Sequence, residues 1–216
     1  MYFDIIQHLM TASLFVISAP SGAGKTSLVK ALRERLPALA VSTSHTTRAP
    51  RPNEQDGREY FFVSNAEFDA MVARGEFLEH ARVFDNQYGT SLGQLQEKLA
   101  AGKDVILEID WQGARQVRAA LPACRSIFIL PPSVAALRQR LTGRQTDSPA
   151  VIERRLADAV ADISHYSEFD FVVVNDDFGQ ATADLVRIVA GQGQPLAATR
   201  PELSPVVANL LELSTP

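Results

Sequence analysis

The chain has a single cysteine, Cys124, in 216 residues. That excludes an intramolecular disulfide and a cysteine-based zinc site, and it suits a reducing, cytoplasmic setting. Basic residues are not in surplus. Lys and Arg number 21 against 25 Asp and Glu, a net charge of −4, so the overall field favours neither nucleic-acid polymers nor membranes as partners. No stretch approaches the roughly 20 apolar residues that a membrane span requires. The four histidines, His8, His45, His80 and His165, lack metal-ligand spacing such as HExxH and read as ordinary polar residues. No Lys or Arg precedes Lys25, and Asp4 stands where a signal peptide would carry positive charge. The apolar start is therefore not a targeting segment. Residues 1–12 read as a short leader. Internal repeats and low-complexity segments are absent.

What is present is more telling. With 46% hydrophobic residues, the chain can bury one good core and a small inserted subdomain. Residues 14–27, LFVISAPSGAGKTS, run from an apolar strand (14–19) through a glycine-containing loop into a helix, SLVKALRERL. That order is the phosphate-cradling loop of nucleotide-binding proteins. Gly22 and Gly24 allow a tight turn whose backbone N–H groups face phosphate oxygens, and Lys25 adds a mobile cation. The Thr26 hydroxyl suits a Mg²⁺ bridging the outer phosphates, with the helix N-terminus turned to the same anion. The ATP-binding set is thus Ser21, Gly22, Ala23, Gly24, Lys25, Thr26 and Ser27. Ala19 stands where the usual pattern has its first glycine.

Further apolar runs at 105–110, 126–130 and 171–175 read as strands of a covered parallel sheet. Helical patterns lie between them: WQGARQVRAAL, then VAALRQRL with Ser133 as N-cap and Gly143 as stop, then a long helix opened by Ser148 and Pro149. Alternating strand and helix predicts an α/β fold, a parallel sheet flanked by helices. Residues 44–100 break the rhythm. YFFV at 60–63, LEHARVF at 78–84 and capping boxes at Ser64/Glu67 and Ser91/Gln94 predict a small mixed insertion. Past about 191 the sequence reads as a linker followed by a short helix, VVANLLEL.

A phosphate loop does not say what is done with the nucleotide. Arg48 and Arg51, three residues apart beside prolines on a stiff nonhelical segment, suit a guanidinium clamp on a second phosphate. An exposed arginine loop would read the same way. The set APSGAGKT, SHTTRAPRPNEQDGREYFFV, EFLEHARVFDNQYGTS, ILEIDWQGA, FILPPS, LTGR and VNDD, in order and at matching spacing over about 13–190, resembles guanylate kinases, and bacterial ones most.

The resemblance implies a P-loop nucleoside monophosphate kinase fold and Mg²⁺-dependent transfer of the ATP γ-phosphoryl group to GMP. It implies a core over about 13–43, 101–141 and 161–196, a GMP-binding insertion over about 44–100, and a helical lid over about 142–160. Residues 197–216 form a tail of unknown role. Ser44, Arg48, Arg51 and Tyr60 match positions holding the GMP phosphate or base, and Glu79, Tyr88 and Thr90 match further GMP contacts. Glu108 falls where many relatives carry an aspartate facing guanine. Asp110 matches a carboxylate that orients Mg²⁺-bound water, and Asn175 lies at the nucleotide end of the last core strand. Arg140, Arg144 and Arg155 match lid arginines, with Arg155 preferred to its neighbour Arg154. The catalytic set is then Lys25, Arg48, Arg144 and Arg155. Gln145 departs from a glycine common in the family. For the base, Glu79 and Glu108 are expected at guanine N1 and N2, with a hydroxyl such as Ser44 or Thr90 at O6. A noncatalytic guanylate kinase-like protein-binding module and a kinase for another nucleoside monophosphate are the alternatives. Oligomeric state is left open, a homo-oligomer included.

Overall fold

The structure, a computed structural model, describes residues 12–83, 85–143 and 148–211. The strands are β1 Leu14–Ser18, β2 Ala40–Val41, β3 His45–Thr46, β4 Phe61–Phe62, β5 Phe77–Val83, β6 Asn86–Ser91, β7 Val105–Glu108, β8 Arg125–Leu130 and β9 Phe171–Val174. The helices are α1 Lys25–Arg35, α2 Asn65–Ala73, α3 Leu92–Ala100, α4 Trp111–Ala120, α5 Val134–Thr142, α6 Pro149–Ile163, α7 Phe178–Val189 and α8 Leu203–Leu211. No helix among the described residues is long and apolar enough to cross a membrane.

One sheet has the order β2-β7-β1-β8-β9, with β2 parallel to β7 and β8 parallel to β9. Its strands read as unbroken apolar runs because both faces are covered: Phe15, Ile17, Ile106, Leu107, Ile127, Phe128 and Ile129 are fully buried. By packing, the chain divides into two compact units. One holds Ala38–Arg125 together with the chain up to Val16; the other holds Ile17–Pro37 and the chain from Ser126 on.

The first unit contains a second sheet, ordered β4-β3-β6-β5. β6 runs antiparallel to both β3 and β5, with Thr46 opposite Tyr88 and Glu79 opposite Thr90. Its small core is aromatic. The His45 ring stacks on Phe61 at 4.8 Å between centroids and meets Phe77 edge-on at 5.6 Å, while Phe77 stacks on Phe68. Gly89 makes room for this cluster, since a Cβ there would come within 2.9 Å of Phe77. His45 is therefore a core residue and not the ordinary polar one that its sequence context suggests. Burial pulls its pKa below the usual 6.5 against the opposing fields of Glu67, Glu76 and Asp56. Its Nδ1 is buried without a hydrogen-bond partner among the described residues.

In the second unit, Leu137 and Leu141 of α5 pack with Leu156 and Ala159 of α6, flanked by Val134 and Ile152. Arg138 and Glu153 pair across the outer side of the same two helices. Residues after 191 do not form the expected linker. Gln194–Leu196 is a 3-10 turn, Ala197 bridges antiparallel to Phe171, and Leu196 and Ala198 are buried. One guanidinium explains how so polar a segment stays packed: Arg200 Nη1 donates to the carbonyls of Val172, Leu196 and Ala197 at 2.8, 2.7 and 3.2 Å. The final helix starts at Leu203, ahead of the predicted stretch.

Other boundaries shift in ways capping accounts for. The 105–110 strand ends at Glu108, because Asp110 turns away to cap α4. α1 begins at Lys25 and not at Ser27, with Gly24 as its left-handed N-cap. Ser64, Ser91 and Ser133 accept the expected backbone bonds, whereas Ser148 occupies its N-cap position without a side-chain bond. YFFV contributes only Phe61–Phe62 as strand. Nearly all of the leader, Phe84, and residues 144–147 and 212–216 lie outside the described residues.

Candidate active site: a phosphate loop and an arginine–carboxylate cluster

In the second unit, β1 delivers the chain into a loop with two left-handed glycines, Gly22 at φ 90° and Gly24 at φ 99°. Residues with a Cβ rarely adopt such angles. Space is short as well. A Cβ on Gly22 would lie 3.0 Å from Leu137 Cδ1, and one on Gly24 only 2.5 Å from Asn175 Nδ2. Asn175, buried just past the end of β9, donates through Nδ2 to the carbonyl of Ala23 at 2.7 Å. Arg140 bridges the same two residues, giving Nη1 to Ala23 O at 3.3 Å and Nη2 to Asn175 O at 2.9 Å. Arg140 thus braces the loop from outside. The Ala23 carbonyl is turned to Asn175 and Arg140, the polarity suited to an anion cradle made of N–H groups.

Lys25 and Thr26 are the first two residues of α1, which has no side-chain cap. The first N–H groups of a helix lack intrahelical acceptors, so an anion is their natural partner there. Arg155 Nη2 donates to the Ser21 hydroxyl at 2.7 Å, while Arg154 is exposed and lies 4.0 Å from Asp158. The structure therefore separates the two adjacent arginines. Arg155 reaches the phosphate loop and Arg154 faces solvent. Arg144, and Gln145 beside it, fall outside the described residues.

The first unit assembles the other named residues. Arg48 is mostly buried and its Nη2 donates to both oxygens of Glu54 at 2.9 Å, with Nη1 on Ala49 O at 2.8 Å. Glu54 Oε2 also accepts the backbone N–H of Arg51 at 2.8 Å. The Arg51 side chain is 62% exposed, with Nη1 3.8 Å from the same carboxylate. Glu54 thus organises both arginines, a role carried by tertiary contact that the proline-rich spacing alone does not reveal. Although burial works against its charge, the bond to Glu54 holds the Arg48 pKa above its ordinary value. Arg48 lies 5.4 Å from the Tyr60 ring centre, and Tyr60 meets Tyr88 edge-on at 5.9 Å. Burial, with smaller effects of Tyr88 and of Glu108 at the end of β7, pushes the Tyr60 phenol up to about 12. Ser44 is buried immediately before β3.

Glu79 is buried in β5 and accepts the Thr90 hydroxyl proton at 2.6 Å. Gly113 allows that carboxylate to approach α4: a Cβ there would fall 2.4 Å from Glu79 Oε2 and 3.3 Å from Asp110 Oδ1. Asp110 accepts the Gly113 N–H at 2.9 Å and the Gln112 amide at 3.0 Å. Ser44, Arg48, Tyr60, Glu79, Tyr88, Thr90 and Glu108 thus fall within one unit, and Lys25, Thr26, Arg155 and Asn175 within the other.

The pattern of the guanylate kinase family matches residues 11–192. The chain belongs to the guanylate kinase family. It is 55% identical over 202 residues to the guanylate kinase of Alkalilimnicola ehrlichii, covering 94% of this chain and 100% of that protein. With the guanylate kinase of Methylococcus capsulatus identity is 57% over 198 residues, 92% of this chain and 97% of that one. The crystal structure of guanylate kinase from Anaplasma phagocytophilum superposes with a TM-score of 0.71 at 32% identity, over 92% of this chain and 95% of that chain.

Proposed function

We propose that this guanylate kinase family member transfers the γ-phosphoryl group of ATP to GMP, giving ADP and GDP, as a cytoplasmic step of purine nucleotide metabolism. The observation carrying this reading is that Glu79 and Thr90 form a buried carboxylate–hydroxyl pair in the unit that also holds Arg48 against Tyr60. A carboxylate suits the donor groups of guanine, and an arginine suits a phosphate.

The residue roles follow from charge. A GMP phosphate oxygen is already ionised near neutral pH, so no strong general base is needed and catalysis rests on alignment and charge neutralisation. Arg48, with Arg51 and Tyr60, holds the GMP phosphate; Glu54 keeps the Arg48 fork in one orientation. Glu79 and Glu108 accept from guanine N1 and N2. Because the Thr90 proton is committed to Glu79 in this arrangement, Ser44 is the better donor to O6. The Ser21–Ser27 loop and Asn175 hold the ATP phosphates, and Lys25 follows the transferred group. Arg155, together with Arg144, neutralises charge from the lid over about 142–160.

The donor set fits Mg²⁺ carried in with the nucleotide. Among the described residues there is no group of three or more His, Cys, Asp or Glu able to hold a metal by itself, and Mg²⁺ usually keeps several waters and phosphate oxygens while taking few protein ligands. Thr26 would ligate it directly and Asp110 through water. When bound, it neutralises charge on the phosphate oxygens.

The test is steady-state transfer from ATP to GMP, AMP, UMP and CMP, with and without Mg²⁺. Turnover is expected with GMP and Mg²⁺. Faster turnover with another monophosphate, or protein binding without turnover, would replace this reading with one of its alternatives.

A further inference from the structure

β5 is one of the two edge strands of the second sheet and is paired by strand with β6 alone. At His80, on its open side, a side chain takes the place of a strand. The Gln116 amide, on α4, donates Nε2 to the carbonyl of His80 at 2.8 Å and accepts the His80 N–H on Oε1 at 3.2 Å. One residue earlier the chain carries Glu79. Between Phe77 and Glu79 the β5–β6 register shifts, Phe77 facing Ser91 and Glu79 facing Thr90. Such a bulge re-aims the side chain beside it, and here Leu78 and Glu79 are consecutive buried residues. A bulged strand is locally underdetermined by its own ladder, so an outside contact must fix its position against α4. Gly113, one turn before Gln116, leaves Glu79 Oε2 the space that a Cβ would occupy.

We infer that Gln116 is a positioning residue for base selection: by clamping both backbone groups of His80 it sets where the Glu79 carboxylate stands relative to α4 and Thr90. This rests on the reading that Glu79 accepts from guanine. Gln116 itself touches no substrate. A buried carboxylate rejects adenine only if it is held where adenine offers no donor, so a loosened β5 should blur the distinction as well as weaken GMP.

Gln116→Met keeps the length of the side chain and removes both amide groups. Gln116→Glu keeps the acceptor for the His80 N–H and sets a carboxylate against the His80 carbonyl. Gln116 and His80 are exposed, so neither change opens a core. KM and kcat for GMP, AMP and ATP are measured in both variants, in Glu79→Gln and in the Glu79→Gln/Gln116→Met double variant. The expected result for both Gln116 variants is a rise in GMP KM of about ten- to a hundredfold, the scale of misplacements near 1 Å. The preference for GMP over AMP should narrow, with ATP KM unchanged and kcat less affected. In the Glu79→Gln background, Gln116→Met should change the preference no further. An unchanged GMP KM and preference in Gln116→Met, or an equal rise in ATP KM, overturns the inference while leaving Glu79 as the base reader if Glu79→Gln narrows the preference. A preference intact in Glu79→Gln removes the underlying reading and this inference with it.

Discussion

Asn175 stands in the space where a side chain on Gly24 would begin. The distance from an ideal Cβ to Asn175 Nδ2 is 2.5 Å, and Gly24 is held at φ 99°. Gly24→Ala therefore meets two obstacles at once, a strained backbone costing about 1–3 kcal/mol and displacement of the amide that ties down Ala23. The expected outcome is a folded protein with lowered thermal stability and severely weakened ATP binding. Calorimetric titration with ATP checks it, and near-normal affinity would remove the loop from ATP binding.

Lys25→Ala leaves the glycine scaffold intact and removes the cation at the start of α1. We expect kcat to fall by roughly 10²-fold or more, the scale of groups that stabilise developing charge. The circular dichroism spectrum should stay unchanged. Ordinary turnover in the folded variant would count against a role in phosphoryl transfer.

Arg48→Lys retains the charge but loses the planar fork that reaches Glu54 and Ala49. The expected effect is confined to GMP: a higher KM for it, with ATP affinity unaltered. Parallel titrations decide, since equal losses for both nucleotides would place Arg48 outside the GMP site.

His45 gives the first unit a pH dependence whose sign can be worked out. Burial depresses its folded-state pKa below 6.5, so the unfolded chain binds a proton more readily. The contribution is fully present above about pH 6.5 and is lost as pH falls from there through the folded-state pKa. Glu67, Glu76 and Asp56 oppose the shift and reduce its size. Melting temperatures between pH 5 and 7.5 should fall with acid more steeply in the native protein than in His45→Phe, which keeps the stacking on Phe61. Parallel curves would show that another group titrates.

How much of this was legible in the sequence depended on the range of the contacts. The buried strands of the first sheet announce themselves because a strand covered on both faces must be apolar throughout, as in SIFIL. β2, β3 and β4 have two residues each, too few to carry any periodicity. β6, NQYGTS, is polar for its length and is held as a strand by backbone pairing to β3 and β5 on its two sides. The phosphate loop could be read because all its parts lie within a dozen residues. The closeness of Glu79 to Gly113 could not, because it depends on a fold that brings separated backbone together, and the capture of Arg48 by Glu54, though only six residues apart, depends on a turn that no regular periodicity announces. Composition misled after residue 191, where Gly, Gln and Pro resemble a linker although the arginine that satisfies the segment's carbonyls lies within it.

That arginine has a consequence for the length of chain the protein needs. β9 is the last strand of its sheet, and among the described residues the short segment at Ala197 and the guanidinium of Arg200 bond to its outer side. The matched family segment stops at residue 192, before either is reached. A protein cut there would present β9 with unsatisfied carbonyls and amides to any second molecule, the condition under which sheets grow from one copy to the next. Removing Ala197 and Arg200 is therefore expected to promote self-association. Light scattering on warming should rise earlier in a protein ending at 192 than in the full chain, and identical traces would assign that protection elsewhere.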